Sequence, residues 1–311
     1  MSSDTDVPLV GVLALQGAFE EHQACLEAAG CRTRQVRTVH DMKDLDGIVL
    51  PGGESTAMGL IGTSSVGSDG RNMWEALQEF TSQKPTWGTC AGMILLAEQC
   101  VGASAVIENG QALIGGMDIL VCRNYFGSQV SSFEMATPPP PPLQSGDDNN
   151  STKDNPPYPG VFIRAPAILS AGPSVEILGR VVATPCRQAA VVLEELEKKI
   201  SNGEKVVQMK VLDALERKSS QEITYRVVVK EHSTTTLSEE EKKEVNLSDN
   251  NELRLELPGA ADGSNAREVI CAVKKDNLLC TAFHPELTND YRWHEYFASM
   301  VRSSKSLTEM K

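Results

Sequence analysis

The sharpest chemical feature of this sequence is Gly88-Thr89-Cys90-Ala91-Gly92, a nucleophile flanked by glycines between an apolar run and a helical stretch. A G-x-nucleophile-x-G turn is strained so that its central side chain stands exposed. The flanking glycines remove side chains that would collide with the neighbouring strand and helix. At a helix N-terminus the unpaired N–H groups favour the thiolate of Cys90, and the N–H of Ala91 is free to donate to an oxyanion. The plainer alternative makes Cys90 one more small buried hydrophobe, as most free cysteines are.

A thiol nucleophile needs a base and a group that orients the base, and the five histidines are His22, His40, His232, His284 and His294. His284-Pro285-Glu286 stands out because it follows directly on an apolar run. In an extended segment residues i and i+2 point the same way, so imidazole and carboxylate lie together while Pro285 restricts the backbone. Glu286 then holds the ring in the tautomer that accepts the thiol proton. His22 and His294 read as ordinary helix residues, and no motif places His232. Pro51-Gly52-Gly53-Glu54-Ser55-Thr56 offers bare backbone N–H groups after a strand, suited to an anion or an oxyanion. Taken alone, it reads as a tight glycine turn with a Ser/Thr helix cap. It lacks the G-K-[ST] of a Walker loop and the G-x-G-x-x-G of a dinucleotide site.

The elements that must carry these residues alternate. Val10 to Leu15 is an apolar run ending at Gln16-Gly17, and Ala18 to Ala29 has helical periodicity until Gly30. Gly47 to Leu50 is a second buried strand, and Met73 to Phe80 an amphipathic helix. Thr86-Trp87-Gly88 leads to Cys90 and a helical stretch from Met93 to Cys100. The pattern predicts an α/β fold of three layers, a mostly parallel sheet flanked by helices, with the site at the carboxyl ends of the strands. Val269 to Val273 and Leu278 to Phe283, joined by a turn over 274–277, form a hairpin immediately before His284.

Two stretches interrupt this single predicted domain over 1–311. Residues 136–157 are rich in Pro, Asn and Asp and read as a flexible insertion. Residues 184–267 read as a second insertion, partly ordered over 187–230, with a helix over 187–200 and a strand over 223–229. Over 231–267 it reads as disordered. Residues 136–157 and 231–267 are expected away from the catalytic edge.

Composition narrows the function classes. Lys+Arg 29 against Asp+Glu 42 gives a net charge of −13, a field that repels nucleic acid and anionic membrane alike. No apolar run approaches the ~20 residues of a membrane helix, and the start MSSDTDVPLV lacks the features of a signal peptide, so a cytoplasmic location is expected. The eight cysteines form no C-x-x-C pair and have no His at ligand spacing, which argues for reduced thiols and against a structural metal.

The elbow cysteine, the PGGES turn and a late H-P-E together resemble the class I (triad) glutamine amidotransferases, whose fold is flavodoxin-like. The stretches LALQGA (13–18), PGGEST (51–56), GTCAG (88–92), RNYFGSQVSSFE (123–134), GVFIRAP (160–166) and FHPELT (283–288) narrow this. They resemble the glutaminase subunit of pyridoxal 5′-phosphate synthase, over residues 9–135, 158–183 and 268–300. The resemblance implies a thioester reaction on L-glutamine, with Cys90 as nucleophile, His284 as base and Glu286 as its orienter. It implies Gly53 and Ala91 as oxyanion donors, and Gly53, Glu54, Ser55, Arg123, Ile163 and Arg164 as glutamine-binding positions. Gln16 and Gly17 match positions near a separate (β/α)₈ synthase subunit that accepts the ammonia, in a hetero-oligomer. No cofactor and no metal are implied. Two further readings stand beside this one. One is another class I amidotransferase subunit or a γ-glutamyl hydrolase; the other is a non-catalytic regulatory subunit.

Overall fold

The computed structural model describes residues 7–67, 70–102, 112–127, 132–143, 155–201, 225–227, 253–255 and 266–309. In chain order the strands begin with β1 (Leu9–Leu13), β2 (Arg32–Val36), β3 (Gly47–Leu50), β4 (Thr86–Thr89), β5 (Ala97–Val101), β6 (Met117–Cys122) and β7 (Phe133–Thr137). They continue with β8 (Tyr158–Phe162), β9 (Ala167–Ala171), β10 (Glu176–Ala183), β11 (Tyr225–Val227), β12 (Leu253–Leu255), β13 (Arg267–Lys275) and β14 (Leu278–Thr281). The helices are α1 (Phe19–Ala28), α2 (Ser55–Ser64), α3 (Met73–Thr81), α4 (Ala91–Leu96), α5 (Arg187–Ser201) and α6 (Arg292–Glu309). Two 3₁₀ turns complete the list, η1 (Val39–Met42) and η2 (Pro285–Leu287).

The large sheet runs β2-β1-β3-β4-β14-β13-β9-β6-β5, with β10 paired to β13. From β2 to β14 every neighbour is parallel. Beyond β14 the pairs to β13, β9 and β6 are antiparallel, and β6–β5 is parallel again. The central strands GIVL, TWGT and LLCT are buried along their whole length, as strands covered on both faces must be. The outermost strand β2, RTRQV, is polar, as suits an edge.

Strand order reverses after β2, and right-handed crossovers then put α1 on one face and α2 with α3 on the other. α1 packs against α6, and α2 packs against α3 and α4. Asn72 and Glu75 close a capping box at the start of α3. Behind it Met73, Trp74, Ala76 and Leu77 are buried at helical spacing.

The hairpin before His284 forms as expected, but β13 runs on through Lys275 and only Asp276-Asn277 make the turn. The helix expected over Met93 to Cys100 stops at Leu96, because 97–101 are drawn into the sheet beside β6. Helical periodicity could not signal that, since a short apolar run suits either state. Strand β2 has too little apolar character to have been read at all.

The first insertion is shorter than its composition implied. Ala136 and Thr137 complete β7, paired with Pro159 and Tyr158 of β8, and the proline run packs onward with Pro140 buried. Its residues 144–154 lie outside the described residues. In the second insertion the helix forms as α5, and Arg267 on β13 bonds Glu197 on it at 2.6 Å. The strand expected over 223–229 is the shorter β11. Its partner β12 lies inside the stretch expected to be disordered, a correction that polar composition could not foresee. The rest of 202–265 lies outside the described residues.

Candidate active site

β1, β3, β4 and β14 lie close together and parallel, so the loops at their carboxyl ends share one edge. Those loops carry Gln16-Gly17, the Pro51–Glu54 turn, Cys90 and His284. Thr89 and Thr281 are partners in register, and the Cys90 N–H donates to the Thr281 carbonyl at 2.9 Å. Sheet pairing alone thus joins two residues 192 positions apart.

Cys90 caps α4 with φ 46° and ψ −101°, a left-handed conformation that costs a non-glycine residue free energy. The sharp turn permits only glycine on either side. A Cβ on Gly92 would lie 1.9 Å from the Leu50 carbonyl oxygen, and one on Gly88 would lie 2.5 Å from the Gly92 carbonyl oxygen. Ala91 opens the helix, so its N–H has no carbonyl one turn earlier to bond.

The imidazole of His284 rests on the second glycine turn, where a Cβ on Gly52 would come within 2.3 Å of its Cε1. Its own backbone N–H donates to Val161 of β8 at 2.8 Å. His284 Nδ1 is 2.7 Å from Glu286 Oε1, and both residues are buried. The pairing arises differently from the extended geometry expected, because Pro285–Leu287 is a 3₁₀ turn that His284 caps. Proline at the first position of the turn sets φ for helix rather than strand.

Charge follows geometry. Burial opposes ionisation of Glu286, but His22 and His284 beside it outweigh that and hold its carboxyl far below the usual carboxylate range. Burial also works against a charged His284, yet the sulfur of Cys90, within hydrogen-bonding reach, and then Glu286 raise the imidazole well above its ordinary value. The imidazole of His284 is thus held between the Cys90 sulfur and a carboxylate that favours its charged form.

Around the glycine turn, Gln16 Oε1 accepts the Glu54 N–H at 2.5 Å, and the Ala18 N–H donates to the Gly52 carbonyl at 3.2 Å. Gly17 has φ 101°, and a Cβ there would strike the Gly52 oxygen. Gln16 and Gly17 are therefore built into the turn that holds Gly53. Glu54 caps α2 with its carboxylate, accepting the N–H groups of Thr56 and Ala57, in place of the Ser/Thr cap expected. Arg123 is buried beside it, with Nη2 3.1 Å from Thr56 Oγ1 and 3.7 Å from Glu54 Oε1. Its Nη1 is buried with no hydrogen-bond partner among the described residues. Ser55 is buried at the start of α2. Ile163 and Arg164 turn the chain after β8, Arg164 exposed at φ 47°.

The model of the SNO glutamine amidotransferase family matches residues 12–192, which hold Cys90, Gly53, Arg123 and Arg164. The chain belongs to that family. Among its relatives, a probable pyridoxal 5′-phosphate synthase subunit PDX2 of Arabidopsis thaliana is 36% identical over 295 residues. That match covers 94% of this chain and 86% of the relative. A pyridoxal 5′-phosphate synthase subunit PdxT of Acidothermus cellulolyticus is 40% identical over 302 residues, covering 97% of each chain. A solved glutamine amidotransferase has a similar fold, with a TM-score of 0.55 at 24% identity over 94% of this chain and 98% of its own.

Within this family member, sequence reasoning passed over three buried polar residues behind the Cys90–His284–Glu286 line: His22, Thr89 and His294. Only one signal pointed to them, a histidine falling at the same helical face as Cys25 and Leu26 on α1. It also passed over Tyr158, whose hydroxyl lies 2.8 Å from Thr288 Oγ1 and bonds the carbonyls of Pro285 and Asp290 beside η2.

Proposed function

We propose that this chain hydrolyses the side-chain amide of L-glutamine through a thioester and passes the ammonia to a (β/α)₈ synthase subunit making pyridoxal 5′-phosphate. The thiolate of Cys90 attacks the amide carbon, and the oxyanion that forms takes N–H bonds from Gly53 and Ala91, where a single donor is commonly worth about 3 kcal/mol. The C–N bond breaks as His284 gives its proton to the leaving nitrogen, releasing ammonia and leaving a thioester. His284 then takes a proton from water, which attacks the thioester and releases glutamate. Glu286 holds the imidazole in register throughout.

Arg123, with its unpartnered Nη1, suits the α-carboxylate of free glutamine, and in this reading Glu54, Ser55, Ile163 and Arg164 bind the rest of the molecule. The names of the relatives support the vitamin B6 branch. Ammonia loses its nucleophilicity once protonated by bulk water, so release must occur into a closed passage, and Gln16 and Gly17 sit where a partner would bear on the glycine turn. The eight free cysteines suit a reducing, cytoplasmic setting, and no helix among the described residues is long and apolar enough to cross a membrane.

The observation that carries this reading is the meeting of Cys90 and His284 at paired strand ends with Glu286 2.7 Å behind the ring. The test is glutamate release from glutamine, measured with and without the synthase subunit. Release is expected to depend on the partner and to fall to background in Cys90→Ala. Full turnover by Cys90→Ala would overturn the reading.

A further inference from the structure

Glu286 is buried, and His284 meets only one of its two carboxylate oxygens. The other, Oε2, is 3.3 Å from Nε2 of His22 on α1. The same Nε2 lies 3.1 Å from Thr89 Oγ1, and His22 Nδ1 lies 3.0 Å from Nε2 of His294 on α6. Both histidines are fully buried, with Trp87 edge-on to each at ring-centroid distances of 5.6 and 4.9 Å. With both rings fully buried, the protons on them are set by one another.

Only one assignment leaves no stranded N–H. If His22 carried its proton on Nδ1, it would donate to His294 Nε2 and force the proton of His294 onto Nδ1. That atom is buried and has no hydrogen-bond partner among the described residues. His22 Nε2 would then also turn a lone pair toward a carboxylate. With the protons on both Nε2 atoms, His294 donates to His22, and His22 donates into the space between Thr89 and Glu286. The atom left without a partner, His294 Nδ1, is then a bare acceptor, the cheaper kind to leave unpaired.

We infer that His22 is a positioning residue that fixes Glu286 from behind, with His294 and Thr89 fixing His22. The consequence for turnover rests on the glutaminase reading, while the consequence for thiol reactivity does not. The titratable groups facing Glu286 are His284 on its own turn, His22 and Cys25 from α1, Tyr158 from β8 and, through His22, His294 from α6. Burial pushes the Cys25 thiol up to about 11 and the Tyr158 hydroxyl higher still, so neither gains charge near neutrality. Burial, then His22, hold His294 well below the ordinary imidazole value. His22 is therefore the group from outside its own turn that keeps the carboxyl ionised. Glu286 Oε2 has no hydrogen-bond partner among the described residues, so without His22 it also loses its nearest N–H; taking up a proton relieves that charge, and the acid limit for a working pair moves to higher pH.

The experiment follows alkylation of Cys90 by iodoacetamide across pH, read on the Cys90 peptide by mass spectrometry, in the full chain and in His22→Leu and His22→Gln. In His22→Leu the midpoint is expected to rise by about one pH unit. With the synthase subunit, kcat for glutamine should fall roughly tenfold at a KM within about twofold, the scale on which partners behind a working histidine act. The Gln variant, whose amide can donate from the same place, should recover both to within about threefold. An unmoved or lowered midpoint in a folded His22→Leu overturns the inference. So does ¹⁵N NMR of the wild-type chain placing the His22 proton on Nδ1, which does not depend on any variant folding. A wild-type chain that releases no glutamate would defeat the glutaminase reading and still leave these two measurements to decide the role of His22.

Discussion

Cys90 holds a backbone conformation that glycine would hold more cheaply, and it is kept there by neighbours that cannot change size. Gly88 and Gly92 meet backbone rather than flexible side chains, so the strain is locked in by packing on both sides. Arg123 is a charged residue whose local state implies a missing partner, since its guanidinium is buried with Nη1 unbonded among the described residues. Arg123→Gln is predicted to raise KM for glutamine by roughly 10- to 100-fold with kcat changed much less, because a carboxylate grip acts equally on ground and transition states. Steady-state kinetics with the synthase present decides it, and a KM within twofold of wild type would contradict the assignment. At this scale the sequence was legible where chemistry needs a local motif: the GTCAG elbow, the PGG turn and H-P-E all declare themselves. His22 and His294 do not, because 272 residues separate two side chains that touch only through tertiary packing.

Among the elements, η2 matters most, since it carries Glu286 and is capped by His284, the pair proposed to act as orienter and base. A turn so short has little hydrogen bonding of its own, and Tyr158 supplies what it lacks. Its hydroxyl meets Thr288 Oγ1 and the carbonyls of Pro285 and Asp290, while Arg292 lies over its ring at 5.6 Å. Arg292 in turn bonds Asp290, Asn155 and the carbonyls of Pro156 and Pro157, tying the end of the first insertion to the same turn. Tyr158→Phe removes the one hydroxyl proton these acceptors share with Thr288 Oγ1, at a cost of about 1–2 kcal/mol. It should lower the melting temperature by several degrees and reduce kcat, as read by thermal denaturation and turnover; unchanged values for both would show that η2 stands without the clamp. Composition hid this clamp, because Asn155-Pro156-Pro157 looks like linker until an arginine from the last helix bonds it. The helix read past Leu96 failed for a related reason: pairing with β6 outweighs the local preference of 97–101.

At the level of the whole molecule, strand order does the assembling. β4 and β14 lie 192 residues apart in pairing register, and their adjacency carries Cys90 to His284 without any contact between the loops being needed first. β1 and β3 flank the point where strand order reverses, and there Gln16 and Gly17 reach the turn that holds Gly53. The parallel half was foreseeable from alternating strands and helices, whereas the antiparallel half was not, because among the described residues no helix falls between β6 and β10 to mark a parallel crossover. The same frame sets the most direct test of the central claim, that one thiol among eight is the nucleophile. The intact chain, treated with an alkylating glutamine analogue and mapped by peptide mass spectrometry, should carry one adduct, on Cys90, and that adduct should be suppressed by excess glutamine. An adduct on a different cysteine, or none on Cys90 in the presence of the synthase subunit, would contradict the account.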